Sequence, residues 1–454
     1  MRSKLSSLLP CVVATLAACG GQGSTVTGGT VTTTPLNSGT TNTTTAAYGV
    51  LGTSTIRVVF VPSPGGATPF LLENTGTQSV TWGGAAAVSG IPPTVPFSFP
   101  VSACTVDSND LKGVCIGYGS SRIGVMDLSR FADSLKISDI GMQEFDSGAG
   151  SVANVYSGAS CIVCGVVADV GKHRFVIGGA GGFRVFSYGS TTAAALFDIP
   201  VGENFAFLPQ ATGTSYIMAP EYEPKGGNRK LRVVDVDAGR TYVWNKNTDS
   251  PTDLGVAGST FQLSEVDAAS VDINTKMIVL TNEDTSDFML VDFGQAVFDN
   301  AALTFSAPFA FAKPNPATPV SRLTDVAIST AGSILLSHGE SMSNIGVTQL
   351  PTTSGTNGAG VGTLGVLDLN DPALDRTPCG ANYVFTGKGD PHGLSLYAGI
   401  DNGQRGLIID AYNSCAAVVD LVGLRDAAHS AADPNSIDTS SAVVRGMVRF
   451  VKLR

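Results

Sequence analysis

Residues 265–293 read EVDAASVDINTKMIVLTNEDTSDFMLVDF. Three apolar runs in this stretch, at residues 266–271, 276–281 and 288–293, are separated by two polar segments rich in Asp, Asn, Thr and Ser. Short apolar runs with turn-forming residues between them are typical of β-strands that are joined by hairpins. The stretch therefore predicts a β-meander of three antiparallel strands.

The third run recurs along the chain with the pattern apolar, any residue, apolar, apolar, Asp, apolar. Six copies fit when Ser187 is accepted at the Asp position, and a seventh has Phe60 there. A repeat of about 40 to 60 residues built from short strands indicates a β-propeller, because a four-stranded blade buries its faces only against neighbouring blades. The copies lie at residues 56–61, 123–128, 183–188, 231–236, 288–293, 364–369 and 416–421.

The repeat predicts an all-β fold, a β-propeller of seven four-stranded blades, with six blades as the alternative count. Few residues precede the first copy or follow the last one, so we expect strands from the two chain ends to pair and close the ring. A large β-sandwich is the alternative fold, but it would not require strand types to repeat in a fixed order. Charged residues are only 14% of the chain and Gly residues number 54, which suits many strands and tight turns.

The N-terminus carries an export signal. Arg2 and Lys4 give a basic start, residues 5–17 are apolar but too few to span a bilayer, and residues 16–19 read LAAC. This pattern resembles the signal peptide of a bacterial lipoprotein. The resemblance implies cleavage before Cys19, acylation of that residue, and stable anchoring to a membrane by three acyl chains. The alternative is an ordinary secretory peptide with an incidental Cys.

The resemblance divides the chain into a signal peptide at residues 1–18, a flexible tether at 19–47 and a propeller domain at 48–454. The tether is rich in Gly, Ser and Thr, which cannot form a core. Gly20 stands where an Asp typically retains lipoproteins at the inner membrane. The resemblance therefore favours the outer membrane of a bacterial cell envelope, on its periplasmic or surface face.

The charge of the chain argues against one class of partner. The net charge is −10, and the sequence has no stripe of Lys and Arg. Binding to nucleic acid depends on clustered basic residues that contact phosphates. We therefore expect no nucleic acid partner.

Six cysteines follow the export signal and allow 15 pairings. Cys104 and Cys115 flank a turn between two predicted strands of one blade, so they could face each other in a hairpin. Cys379 and Cys415 belong to neighbouring segments of the chain. We expect structural disulfides, which are typical of exported proteins.

Cys161 and Cys164 are three residues apart and are harder to pair. In an extended strand they would lie about 10 Å apart, beyond the reach of a disulfide, so they could bond only across a turn. Metal binding and redox chemistry are the alternatives for this single CxxC motif.

Polar residues occupy matching positions at the starts of predicted first strands, which face the channel of a propeller. Converging carboxylate, amide and imidazole groups could bind a divalent cation such as calcium or another polar ligand, and a bound metal could polarise a carbonyl group. The alternative role is structural, in which these side chains cap backbone groups of the neighbouring blade. The four residues are Asn204, Asp267, Asp325 and His392.

His338 and Glu340 follow a predicted second strand and begin a Gly-rich insertion. Loops after second strands open on the same face as the starts of first strands, so both residues could lie near His392. Acid–base catalysis would need such a pair beside the substrate. The alternative is a solvated loop.

Residues 390–396, 406–410 and 417–421 resemble one blade of the YVTN-type and lactonase-like seven-bladed propellers. They contain a Pro-His-Gly start, an apolar middle strand and a third strand with a V-x-D-like ending. The resemblance implies the propeller fold and supplies no catalytic residue.

Two functions remain open. We expect a membrane-tethered, extracytoplasmic binding or interaction module whose ligand is a protein, a glycan or a small molecule. The alternative is a metal-assisted propeller hydrolase or lyase, lactonase-like, with its metal near Asp267, Asp325 and His392. Convergence of these three side chains would favour the enzyme.

Overall fold

The computed structural model of the chain consists mostly of antiparallel β-strands. Among the residues that the structure describes, seven sheets of at least four strands follow one another along the sequence. The structure describes residues 25–27, 30–32, 47–50, 56–63, 66–74, 80–81, 94–107, 109–117, 120–134, 137–149, 162–163, 165–179, 182–199, 205–209, 213–220, 230–245, 252–253, 268–272, 275–282, 287–299, 302–305, 309–312, 323–329, 334–339, 343–350, 362–380, 382–385, 395–400, 404–410, 415–430 and 442–452.

Blades 1 to 3 are sheets in which neighbours in sequence are neighbours in the sheet. Blade 1 contains Ala47–Val50, Ile56–Ser63, Gly66–Asn74 and Val80–Thr81, and its third strand also pairs with Val95–Pro96. Blade 2 contains Ala103–Asp107, Lys112–Ile116, Arg122–Asp127 and Gly141–Asp146. Blade 3 contains Gly165–Asp169, Arg174–Gly179, Gly182–Ser187 and Ala195–Phe197.

Blades 4 and 5 exchange segments at their outer edges. Blade 4 contains Ala206–Leu208, Tyr216–Pro220, Lys230–Asp235 and Arg240–Asn245, and blade 5 contains Ala269–Asp272, Met277–Asn282, Asp287–Asp292 and Phe309–Ala312. A hairpin from blade 5, with strands Ala296–Asp299 and Ala302–Phe305, pairs in parallel with the outer strand of blade 4. In return, Thr252–Asp253 pairs in parallel with the outer strand of blade 5. Each blade thus covers the other's outer edge.

Blade 6 contains Leu323–Ser329, Ile334–Gly339, Asn344–Gln349 and Gly362–Asp368. Blade 7 contains Ser395–Ile400, Arg405–Asp410, Cys415–Asp420 and Val448–Lys452, with the helices Leu421–Ser430 and Ala442–Met447 between its last two strands. Shorter helical segments lie at Phe131–Ser134, Ile137–Asp139 and Phe293–Gln295. In the part of the chain that the structure describes, no helix has the length and apolar character needed to cross a bilayer.

The sheets are the blades of a β-propeller. First strands contact each other between blades 1 and 2, 2 and 3, 4 and 5, 5 and 6, and 6 and 7, so these strands are innermost. Apolar clusters fill the joints between consecutive blades; between blades 3 and 4, Phe183 packs in one cluster with Phe205 and Ile217. Burial of both faces explains why the strand Gly165–Asp169 is buried throughout instead of alternating. The predicted all-β propeller of seven four-stranded blades is confirmed.

The Asp that marks the repeat shapes the turn after the third strand. Oδ1 of Asp127 accepts a hydrogen bond of 3.0 Å from the N–H of Ser129, and Oδ1 of Asp420 accepts one of 2.9 Å from the N–H of Gly423. An Asp that bonds to the backbone two or three residues later stabilises a turn. The repeated Asp therefore stabilises the turn that follows its strand.

Two copies of the repeat occupy a different strand from the one expected. Residues 364–369 belong to the fourth strand of blade 6, whose third strand is Asn344–Gln349, and residues 56–61 belong to the second strand of blade 1. The sequence could not distinguish these strands, because an apolar run indicates that a strand is buried but does not indicate which position the strand takes in its sheet.

The predicted pairing of the chain ends is not among the strand pairings of the described residues. The last strand, Val448–Lys452, pairs with Cys415–Asp420, and the first sheet takes its strands from residues 47–81 with one added pairing at 95–96. Closure of the ring by the two ends therefore stays a prediction.

Only part of the predicted signal peptide, tether and propeller domain falls within the described residues. Residues 1–18, the predicted signal peptide, lie outside the described residues. Within the predicted tether, Thr25–Thr27 pairs with Thr30–Thr32, and Ala47 already belongs to the first strand of blade 1. The division into signal peptide, tether and propeller stays a prediction.

Candidate functional site

Asp325 lies near the start of the first strand of blade 6, directly after an irregularity in strand pairing. The residue is only 2% exposed. Its Oδ2 accepts a hydrogen bond of 2.7 Å from the N–H of Leu396 in blade 7, and its Oδ1 accepts one of 2.8 Å from the N–H of Val326. Burial raises the pKa of Asp325 to about 7, while the two N–H donors act in the opposite direction.

His338 lies directly opposite Asp325 on the second strand of blade 6 and is fully buried. Directly opposite residues of antiparallel strands point to the same face of the sheet, with Cβ atoms about 4.5–5.5 Å apart. The structure therefore brings a carboxyl and an imidazole group, both from predicted site residues, to one buried position. His338 belongs to the strand itself, whereas the sequence suggested a loop after the strand.

The remaining predicted site residues lie outside the described residues: Cys19, Asn204, Asp267, Glu340, His392, Cys161 and Cys164. The acylation of Cys19, the convergence of the four polar residues at the starts of first strands and the pairing of the CxxC motif therefore stay predictions. Among the residues that are described, no three His, Cys, Asp or Glu side chains are grouped so that they could hold a metal ion. Calcium binding stays an expectation from the sequence.

The contact made by Asp325 is one of a series between first strands of neighbouring blades. Oγ1 of Thr105 accepts a hydrogen bond of 3.3 Å from the N–H of Ala168, and Oγ of Ser270 accepts one of 3.1 Å from the N–H of Ile328. Each contact satisfies a backbone N–H of the next blade, and such a group left unpaired when buried costs about 1–3 kcal/mol. The series supports the capping hypothesis for Asp325.

A second set of polar contacts lies at the opposite ends of the first strands, where the sequence predicts no site. Asp169 ends the first strand of blade 3 and is fully buried, and it accepts bonds from Arg174 Nε at 2.6 Å and from the Ser215 hydroxyl at 2.9 Å. Asp237 then binds Arg174 at 2.8 Å and Lys172 at 2.5 Å. Burial raises the pKa of Asp169 against the effect of Arg174. The network joins blade 3 to blade 4.

Buried Asp residues end the first strands of three blades, at Asp107, Asp169 and Asp272. Their sequence signal is an Asp at the last position of a short run, in TVD, VAD and SVD. A comparison restricted to the starts of the first strands misses this signal, because these residues lie at the other face of the propeller.

Among the cysteines that the structure describes, two pairs lie at disulfide distance. Cys104 and Cys115 are directly opposite in the first two strands of blade 2, with Cα atoms 4.1 Å apart. Cys379, in the connection between blades 6 and 7, lies beside Cys415 in the third strand of blade 7, with Cα atoms 5.6 Å apart. All four residues are buried. The first pair links two strands of one blade, and the second links a connecting segment to a blade.

No protein-family model and no curated protein matches the chain. Among solved structures, Saccharomyces cerevisiae Sqt1 has 9% identity and a TM-score of 0.47, with 85% of each chain covered. Kluyveromyces lactis Hsv2 has 11% identity and a TM-score of 0.41, with 81% of this chain and 89% of that chain covered. KlAtg21, solved with the coiled coil of AgAtg16, has 9% identity and a TM-score of 0.49, with 90% of this chain and 100% of that chain covered. Similarities at these TM-scores and identities say nothing about the function of this chain.

Proposed function

We propose that this protein is a lipid-anchored, extracytoplasmic β-propeller that acts as a binding module. The observation that carries the proposal is that two buried cysteine pairs lie at disulfide distance, Cys104 with Cys115 and Cys379 with Cys415. Structural disulfides persist in oxidising compartments and are rare in the cytosol. The resemblance of the N-terminal residues to an export signal supports the same location independently.

The proposed anchor is the acylated Cys19, and the proposed location is the bacterial cell envelope, with the outer membrane favoured. Residues 16–19 support this assignment through their resemblance to a lipoprotein cleavage site, and Gly20 supports the outer membrane. Three acyl chains exceed the two signals that stable membrane attachment requires. The membrane is thus one proposed partner, held through the lipid.

The proposed role as a binding module is supported by the chemistry of Asp325. Both carboxylate oxygens accept hydrogen bonds from backbone N–H groups, which leaves this group less available as a metal ligand or a general base. The face where first strands begin is the proposed binding face, and its ligand is a protein, a glycan or a small molecule. The net charge of −10 disfavours nucleic acid.

The anchor is tested by expressing the full chain and its Cys19→Ala variant in a bacterium that has an outer membrane. The unaltered chain should incorporate labelled palmitate and sediment with outer-membrane vesicles, and the variant should do neither. Cys11→Ala is the matched control, because Cys11 lies in the same apolar segment and should leave labelling intact. Palmitate labelling of the Cys19→Ala protein would overturn the proposed anchor.

The binding face is tested by photo-crosslinking in intact cells. Arg122 begins the third strand of blade 2 and Arg130 follows its end, so these two exposed residues lie at opposite faces of the propeller. A photoreactive residue at position 122 should capture a defined partner, whereas the same residue at position 130 should not. Equal capture at both positions, or capture at 130 alone, would contradict the proposed face.

The alternative function is a metal-assisted hydrolase or lyase, lactonase-like. It is favoured by one observation, the buried placement of Asp325 directly opposite His338. The test is calorimetric titration of the chelator-treated full chain with calcium, zinc and manganese, beside Asp325→Asn. Tight binding that the variant loses would support the metal site. Absence of binding by the unaltered chain would leave Asp325 as a structural cap.

A further inference from the structure

Blade 7 ends in a helix and a strand that each bury one side. The helix Ala442–Met447 leads directly into the outer strand Val448–Lys452. Val444 of the helix, with Val448 and Phe450 of the strand, belongs to the apolar cluster that joins blade 7 to blade 6. These contacts hold the segment on the blade, so the side chains that do not enter the cluster are presented to solvent in defined positions.

The exposed side of this segment is apolar and cationic. Val443 is 61% exposed, the highest value for a large apolar residue in the part of the chain that the structure describes. Arg445 of the helix and Arg449 of the strand are exposed as well. Neither guanidinium group has a described acidic residue within ion-pair distance. Their charges are therefore available to a partner.

The surrounding sequence does not neutralise these charges. Residues 439–454 contain four basic residues, interspersed with apolar ones, and no acidic residue, although the whole chain has a net charge of −10. The neighbouring helix Leu421–Ser430 contacts this segment, and its Asp426 pairs with Arg425 at 2.8 Å. The edge of blade 7 is thus a small cationic surface on an acidic protein.

We propose that Val443, Arg445 and Arg449, the basic edge, dock the propeller on the anionic phospholipids of the membrane that holds it, an inference that rests on the proposed membrane attachment. Guanidinium groups donate charge-assisted hydrogen bonds to phosphate oxygens. An apolar side chain between cations suits the boundary of headgroups and acyl chains, which favours a lipid surface over an acidic protein.

The proposed anchor does not itself determine which side of the propeller faces the lipid. A tether over residues 19–47 spans up to about 100 Å when extended. A domain of about 400 residues has a diameter of roughly 55 Å, so the tether can reach around it. Because an anionic leaflet repels an acidic surface and attracts a basic one, the basic edge selects the orientation.

The contact is tested by fluorescence quenching in the full chain with Cys19→Ala, so that acylation plays no part. Val443→Trp is compared with Val297→Trp, an equally exposed position (52%) on the hairpin at the outer edge of blade 4. The two native Trp residues give both proteins the same background. Vesicles of phosphatidylglycerol with brominated acyl chains should quench the Trp at position 443 and not the Trp at 297. Brominated phosphatidylcholine should quench neither.

The charges are tested in the Val443→Trp protein by combining Arg445→Gln with Arg449→Gln. A basic side chain near an anionic membrane strengthens binding about fivefold, so the double change should weaken association with phosphatidylglycerol vesicles roughly 25-fold. Arg130→Gln with Arg240→Gln is the matched control, because it removes two exposed charges from blades 2 and 4. It should change the association by less than about threefold.

Equal quenching at positions 443 and 297, or equal weakening by the two double changes, would overturn the basic edge as the docking surface. Retention of the chain by immobilised polyglutamate without quenching by phosphatidylglycerol would assign the edge to an acidic protein and overturn the lipid contact. Palmitate labelling of the unaltered chain reports on the anchor separately, so failure of the anchor and failure of the basic edge give different results.

Discussion

Oδ2 of Asp325 in blade 6 accepts a hydrogen bond of 2.7 Å from the N–H of Leu396 in blade 7. One carboxyl group thereby satisfies a backbone N–H group of the next blade. The same group is buried strongly enough to raise its pKa to about 7. The joint between blades 6 and 7 therefore combines an apolar cluster with a titratable polar contact.

Asp325→Ala should lower the free energy of unfolding by about 1–3 kcal/mol, because the buried N–H of Leu396 would lose its acceptor. Asp325→Asn should cost less, since the amide oxygen can still accept that bond. Denaturation in urea measures both. Thr105→Val, which removes the corresponding acceptor for Ala168, is the matched variant in blade 2. An Asp325→Ala protein as stable as the unaltered chain would contradict the capping role.

Asp325 should also make stability depend on pH. Its folded-state pKa of about 7 lies above the value of 3.8 for the free side chain, so its contribution is fully present below 3.8 and is lost as the pH rises to about 7. One such group changes the free energy of unfolding by at most about 1.4 kcal/mol per pH unit. Urea denaturation at several pH values should give a smaller slope between pH 4 and pH 7 for Asp325→Asn. An identical slope would show that Asp325 does not titrate in this range.

Arg174→Met should be strongly destabilising, by about 3–5 kcal/mol, because the buried carboxylate of Asp169 would lose its cationic partner. Arg122→Met is the control, because Arg122 pairs with Glu144 at the surface, where an ion pair contributes about 0–1 kcal/mol. Urea denaturation at pH 7 compares the two. Equal losses would mean that burial of Asp169 does not decide the effect.

Phe298→Ala should release the hairpin that blade 5 adds to blade 4. The ring of Phe298 stacks on Tyr216 with centroids 5.4 Å apart and meets the edge of Tyr242 at 4.7 Å. Loss of these contacts should cost about 2 kcal/mol, less than the 3–5 kcal/mol typical of a fully buried Phe. Hydrogen exchange over residues 296–305 should become faster.

Val297→Ala is the control for that variant, because Val297 directly precedes Phe298 in the same strand and is 52% exposed. Its effect should stay within about 0.5 kcal/mol, as for most surface positions. If both variants accelerated hydrogen exchange in the hairpin equally, the aromatic contacts of Phe298 would not be the interactions that stabilise it.

The repeat in the sequence was sufficient to predict the fold. Each blade needs apolar strands of similar length with turn residues between them. This pattern is visible within a single short stretch of sequence, as in residues 266–293. The hairpin that places Cys104 opposite Cys115 was also predictable, because a short turn determines which residues face each other. The strand exchange between blades 4 and 5 was not, since it depends on segments that are distant in sequence.

The candidate site was predictable only as a set of residue types. The sequence selected Asp325 from its position at the start of a strand, and selected His338 as a loop residue. That they lie opposite each other, and that the carboxylate of Asp325 is used by Leu396, depends on pairing across strands and blades.

By itself the sequence determined the repeating strands and the all-β class, because both are encoded within a few neighbouring residues, whereas it left the number of blades open between seven and six. Tertiary structure alone decided which polar groups are buried and what they contact. Asp107 and Asp169 show the difference: both end a short run before a turn, yet one meets Tyr188 and the other meets Arg174 and Ser215. Their partners come from a turn or from the next blade, and only the packing of blades around one centre brings such residues together.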